Sequence, residues 1–350
     1  MIASRRSGFL MLAASAAVLG TALGIASGAT PNRVVSVDGA GGYRPGVDYH
    51  VGGYRPKPVP PEDLPDYQDY ITSLAHPGIP VDAQGVALWA NGGRLLYHPL
   101  LIARYGIAML HTYRITHKAP HLERAEVNAN WLINNAVSRD GALYFPYRFK
   151  YPLFGNPRDL MRSPWFSSLA QGEALMLFTR LYAVTGDQSW RTAADSTFAT
   201  FVNRQSSKQP WVIPWTVFVD HWNHRRYLWL EEYPKHPPTQ VLNGDMYALF
   251  GVWEYALASG SDAAMAVFDG AATTIRHQVG RFRVRGGISY YSLRVHAQYN
   301  SYHCIVVGQL KLLARMTGDP WFAKKGRRFG ADGRHAHAGC KPPKPMTVPR

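Results

Sequence analysis

The sequence predicts a mainly α fold: an incomplete (α/α) toroid or barrel of paired helices, with short β-hairpins at its mouth. Three observations carry this. Apolar residues recur at helical spacing in 97–115, 121–137, 167–184, 188–203, 240–257, 261–278, 301–316 and 320–329. The breaks inside the pairs share one chemistry: Thr185-Gly186-Asp187, Gly260-Ser261-Asp262 and Thr317-Gly318-Asp319-Pro320, with His117-Lys118-Ala119-Pro120 a weaker copy. There Gly supplies the left-handed residue that ends one helix, Asp or Ser caps the next, and Pro fits its first turn. The pairs return every roughly 60–75 residues, as a repeated two-helix unit does.

The chain has 350 residues, enough apolar material for one large domain. Residues 1–29 read as a secretory signal: Arg5 and Arg6, an apolar run from Phe9 to Ala26, then Ser27-Gly28-Ala29. The run approaches transmembrane length, so a signal anchor is the other option. Arg5-Arg6 also resembles a twin-arginine leader. The expected location is therefore secreted or extracytoplasmic.

Residues 30–75 form a Gly/Pro/Tyr-rich linker or surface arm. It carries a near-repeat, Gly41-Gly42-Tyr43-Arg44-Pro45 and Gly52-Gly53-Tyr54-Arg55-Pro56. Such a composition holds neither a long helix nor a central strand. Residues 76–330 are expected to be the barrel. Its longer inter-pair segments, 139–166, 205–237 and 281–299, alternate aromatic and β-branched residues and read as hairpins at the mouth, where function tends to sit. Residues 331–350 read as a basic, unstructured tail.

The net charge is +15. Residues 324–350 contribute +7 and the leader +2, leaving +6 for the rest. A basic surplus suits a polyanion. No helix-turn-helix, zinc-finger or RNP pattern occurs, so nucleic acid is not the expected partner. Cys304 and Cys340 are the two cysteines, able to form one disulfide outside the cytoplasm. They lack the spacing of a zinc site, and no metal site is expected.

Three segments could carry chemistry: Trp229-Leu230-Glu231-Glu232-Tyr233-Pro234 with Val241-Leu242-Asn243-Gly244-Asp245-Met246-Tyr247, then Tyr291-Ser292-Leu293-Arg294, then Tyr302-His303 before Gln309-Leu310. Together they resemble the C-terminal catalytic domain of the D-glucuronyl C5-epimerase family. Tyr97-His98-Pro99 through Tyr105-Gly106 and Ser163-Pro164-Trp165-Phe166 through Gln171-Gly172 resemble two further blocks of that family. Departures are Phe166 for Tyr, Pro164 for Gly, and Leu230 and Asp245 for aromatics. The β-domain of animal members, expected before Trp131, is absent between Gly106 and Trp131.

The resemblance implies C5 epimerisation of glucuronate residues in an acidic polysaccharide. That chemistry removes a proton alpha to a carboxylate and returns it to the other face. It needs a base, a donor opposite, and a cation on the carboxylate, with no cofactor. The resemblance places Tyr233, Tyr291 and Tyr302 in the acid–base group with Glu232. A phenol titrates near about 10, so Tyr donates readily. Glu232 is a relay, or the base itself if burial raises its pKa. Arg294 is the candidate for the uronate carboxylate, or else a structural partner of Glu231. His303, Gln171, Tyr97, Trp165 and Asn243 complete the candidate substrate-binding set, although from the residues alone His303 reads first as a core histidine and Asn243 as a helix cap. A homodimer is compatible with the chain. The same groups would serve a uronan polysaccharide lyase, or a non-catalytic polysaccharide-binding domain. A hydrolase needs two carboxylates across a cleft, and adjacent Glu231 and Glu232 diverge.

Overall fold

The computed structural model describes residues 49–60, 64, 74, 78–202, 214–219 and 226–340. The leader, the first copy of the near-repeat and residues 341–350 lie outside them. Among the described residues the elements are β1 (Leu88–Asn91), β2 (Arg94–Tyr97), α1 (Pro99–Thr116), α2 (Ala119–Asn134), β3 (Val137–Arg139), β4 (Ala142–Tyr144), β5 (Tyr151–Pro152) and β6 (Leu160–Met161). Then follow α3 (Ser168–Thr185), α4 (Gln188–Val202), β7 (Pro214–Val219), β8 (Arg226–Leu230), α5 (Leu242–Ser259), α6 (Asp262–Gln278), α7 (Asn300–Thr317) and α8 (Pro320–His335).

The eight helices fall within a few residues of the apolar periodicity, and the breaks work as their chemistry requires. Gly186, Gly260 and Gly318 take φ of 72°, 65° and 74° as left-handed C-caps. The weaker copy uses His117 at φ 54°. Ser261 Oγ accepts from the Ala264 N–H at 3.3 Å, and Asp319 Oδ1 from the Trp321 N–H at 2.9 Å.

The helices form two rows. α1, α3, α5 and α7 pack in succession, and α2, α4, α6 and α8 back onto them as partners. This is the α/α toroid arrangement. The inner row is the apolar one: α3 is buried from Ser168 to Leu181, and α5 almost continuously to Ala256. At the α3–α5 crossing the backbones of Gly172 and Gly251 touch, and a methyl group on either would overlap the facing main chain.

Connections from an inner to an outer helix are tight turns, whereas those from an outer to the next inner helix are long. All long segments therefore reach the same rim, at the N-terminal ends of the inner helices. Antiparallel hairpins β5–β6 and β7–β8 lie in the expected segments, and β3–β4 begins two residues before its own, at Val137. The hairpin β1–β2, turning at Gly92-Gly93, was not anticipated; it takes Tyr97 out of the helix expected to begin there. Segment 281–299 makes no hairpin of its own. It pairs through single bridges, Val241 with Ser292 and Tyr290 with Gln298.

Of the linker and arm readings of residues 30–75, the described stretch takes the arm, whereas the tail needs correction. Residues 49–60 are an arm bound to the domain, because Asp269 draws in three of its amides: Gly52 and Tyr54 donate to Oδ1 at 2.9 and 3.0 Å, and Gly53 to Oδ2 at 2.9 Å. The described part of the expected tail is ordered too. α8 runs to His335, and Cys340 is disulfide-bonded to Cys304 on α7.

Candidate active site

The site forms where the segment after β8 meets the starts of all four inner helices. Ser168, opening α3, donates its N–H to the Glu231 carbonyl at 2.9 Å. Leu242, opening α5, donates to the Tyr291 carbonyl at 3.2 Å, and Leu293 to Gln240 at 3.2 Å. Ser292 Oγ reaches the Thr239 carbonyl at 2.6 Å. These bonds stitch segment 289–294 to 239–242. Stitching sets Tyr291 beside Glu232, although 59 residues separate them.

The adjacent glutamates diverge. Glu231 is fully buried and caged: the Thr239 hydroxyl donates to Oε2 at 2.6 Å and the Gln240 N–H to Oε1 at 3.0 Å. Burial pushes its pKa up to about 8, with these bonds and the Glu232 charge as smaller influences. Asp245, buried close by, accepts from the Leu230 N–H at 2.8 Å, so two departures from the family pattern contact each other. Burial raises Asp245 well above the carboxylate range.

Glu232 turns the other way, into a cup of phenols. The Tyr291 hydroxyl lies 3.3 and 3.4 Å from its two oxygens. Burial pushes Glu232 up to about 7; the Tyr233 hydroxyl, the Arg104 charge and the Tyr291 hydroxyl oppose this. Burial and the Glu232 charge raise Tyr233, Tyr291 and Tyr302, the first two far above the ordinary phenol value. The Tyr302 ring sits 4.4 Å from that of Tyr291, and Tyr299 packs on both. At neutral pH the phenols are therefore donors and Glu232 is the group poised to take a proton.

The other expected residues divide. Arg294 pairs with Asp159, between β5 and β6, at 3.0 Å, and not with Glu231. Lys235 binds the same Asp159. The Arg294 Nη1 is buried with no hydrogen-bond partner. Trp165 lies 5.8 Å from Tyr233 and stacks on Tyr147 at 3.8 Å, donating its indole N–H to the Phe149 carbonyl. It forms the wall of the cup.

Gln171 ties Phe145 and Leu143 of the β4 strand region to α3 and is fully buried, so it holds scaffold. His303 receives the Ser289 N–H at 3.0 Å and stacks on Phe329, which fixes segment 289–294 from behind. Tyr97 is exposed, donates to Asp82 and stacks on Trp131. Asn243 does not cap α5, whose N-cap is Val241; its carbonyl accepts from Gln309.

Three contributors were missed. Arg104 on α1 grips Glu173 through two N–H groups at 3.1 Å each and lies 4.7 Å over the Tyr247 ring. Its charge acts on Glu232 and on Tyr302. Tyr151 stacks on Tyr233 at 5.9 Å. Gly244 leaves the space Glu232 occupies: a Cβ there would overlap the carboxylate and its Cβ. Gly244 stood within a quoted block and could have been singled out; Arg104 and Tyr151 carry no local signal.

Residues 139–330 match the family model described as the D-glucuronyl C5-epimerase C-terminus, more than half of the chain. The chain belongs to this family. A D-glucuronyl C5-epimerase of Caenorhabditis elegans is 27% identical over 129 residues, covering 36% of this chain and 18% of that relative. Among solved structures, the GH76A alpha-1,6-mannanase from Salegentibacter sp. HEL1_6 superposes with a TM-score of 0.50 at 12% identity, covering 78% of this chain and 68% of that one. An inactive variant of that mannanase, in complex with alpha-1,6-mannotriose, gives 0.50 at 11% identity over 77% and 68%. At such identity these two establish the toroid alone. Within the epimerase family, the matched region holds Glu232, Tyr233, Tyr291, Arg294 and Tyr302, but Arg104 and its α1 helix lie outside it.

Proposed function

We propose that this chain, as an exported protein, epimerises C5 of glucuronate residues in an acidic polysaccharide. The observation that carries the reading is a glutamate held near neutral pKa among phenols that stay protonated. Glu232 takes the C5 proton. The electron pair left on C5 spreads into the uronate carboxylate, where the second negative charge needs a cation. Arg294, with one buried nitrogen unpaired, grips that carboxylate, and Arg104 adds charge from α1. Tyr291 stays hydrogen-bonded to the base. Tyr302, beside it and off the carboxylate, returns a proton to the opposite face of C5; solvent then reprotonates Tyr302 and accepts the proton held by Glu232.

The inner-helix N-termini meeting at this rim add positive potential, which favours an anionic substrate. A Cys304–Cys340 disulfide supports an oxidising compartment. Glu231 is unsuited to serve as the second carboxylate of a glycosidase, since its cage points it away from the cup.

Incubation with unsulfated glucuronate polysaccharide in deuterated water tests the reading. Deuterium at C5 without chain cleavage is expected. Absorbance from a 4,5-double bond would assign a lyase. New reducing ends without that absorbance would assign a hydrolase. Binding without exchange would leave a polysaccharide-binding domain.

A further inference from the structure

A second cavity lies beside the phenol cup. It has a volume of about 380 Å³, and Asn91, Arg94, Arg148, Phe149, Lys150 and Ser163 line it. Three separate segments build it: the β1–β2 hairpin, the stretch between β4 and β5, and the residue pair following β6. In the middle stretch the chain alternates. Tyr147 and Phe149 are buried, so Arg148 and Lys150 face outward into the cleft.

Several other arginines are neutralised by a nearby carboxylate. Arg104, Arg180, Arg191, Arg283 and Arg294 each hold a carboxylate. Arg94, Arg148 and Lys150 have no carboxylate partner among the described residues, although they converge on one concavity. Bringing three like charges together is unfavourable unless an anion sits between them. The cleft also adjoins the wall of the cup. Phe149 packs against Trp165 with centroids 6.1 Å apart, and Trp165 against Tyr233 at 5.8 Å. Two ring widths are comparable with one or two sugar residues of a polymer.

We propose that this cleft is a distal subsite for an anionic substituent, a carboxylate or sulfate ester, carried by a neighbouring residue of the same polysaccharide chain. The proposal rests on the epimerase reading for its polymer. Arg148 and Lys150 supply the charge on one wall and Arg94 on the other. Asn91 and Ser163 offer neutral hydrogen bonds.

The test is calorimetric titration of the full chain with glucuronate-containing tetra- and octasaccharides, unsulfated and sulfated, against the Arg148→Ala/Lys150→Ala protein. All three cations are exposed, so unchanged circular dichroism is the folding control. The wild type should bind the octasaccharide roughly tenfold more tightly than the tetrasaccharide, and the variant should lose that difference. Preference for the sulfated octasaccharide would identify a sulfate ester, and equal binding a carboxylate; both support the subsite. Turnover on saturating tetrasaccharide should be unchanged in the variant, with KM for octasaccharide raised.

Length-independent affinity, or an unaltered variant, overturns the subsite. So does competition by inorganic sulfate without any length effect, which would mean an adventitious ion only. Absence of C5 exchange by a wild type whose octasaccharide affinity still depends on Arg148 and Lys150 would remove the epimerase reading and keep the subsite.

Discussion

Glu231 and Glu232 are neighbours in the chain, both are buried, and both have pKa values raised by burial, yet their surroundings differ in kind. Around Glu231 the donors are a backbone amide and a threonine hydroxyl, at 3.0 and 2.6 Å, fixed by the fold. Around Glu232 they are phenols, the Tyr291 hydroxyl at a slack 3.3–3.4 Å. A carboxyl with short, fixed bonds is scaffold. A carboxyl with long bonds to groups that can themselves give up protons is suited to chemistry, because its proton can leave without breaking the fold.

The comparison can be broken most sharply at Glu232. Glu232→Gln keeps the shape and removes the base, so C5 exchange should fall on the order of 10²–10⁴-fold with thermal stability equal to or above wild type. A variant that unfolds instead would make Glu232 scaffold like its neighbour. Gly244→Ala acts on the same carboxylate indirectly. A methyl group there displaces Glu232, and a shift of about 1 Å should cost roughly 10²-fold in exchange while substrate affinity changes little. Equal losses in kcat and affinity would mean that the helix start itself has moved.

The smaller effects fall on the other side. Glu231→Gln should leave exchange within a few-fold of wild type and alter the pH dependence of stability. Glu231 ionises near 4.5 when unfolded and near about 8 when folded. Its contribution to stability is therefore complete below the unfolded value and is lost as pH rises through the folded one. Denaturant titrations from pH 5 to pH 9 should show wild-type stability declining, and Glu231→Gln declining less. A slope unaltered by the substitution would put the titrating group elsewhere, Glu232 and Asp245 being the other buried carboxyls of the site raised by burial.

The same contrast explains what could be read from the sequence. The helices were legible because their signals are local: an apolar period of 3.6 and a Gly-then-Asp or Gly-then-Ser break stated within four residues. β1–β2 was legible in principle, since Asn91-Gly92-Gly93 between apolar runs is a hairpin signal, but the apolar period after residue 97 drew attention first. Glu232, Tyr233, Tyr291 and Tyr302 were reached through family resemblance, because no spacing along the chain announces contacts that close over tens of residues. Arg104 and Asp159 had no such help. Each acts through partners 69 or more residues away, Glu173 for the first and Lys235 and Arg294 for the second. Asn243 read as a cap because Asn often caps; the preceding bridge from Val241 to Ser292 instead makes Val241 the helix boundary.

The pH dependence of deuterium incorporation at C5 tests the central claim most directly. With Glu232 as a base held near about 7, saturated exchange should rise with pH through that value, and Glu232→Gln should abolish the rise. A profile level from pH 5 to pH 9, or a Glu232→Gln protein that exchanges as fast as wild type, would contradict it.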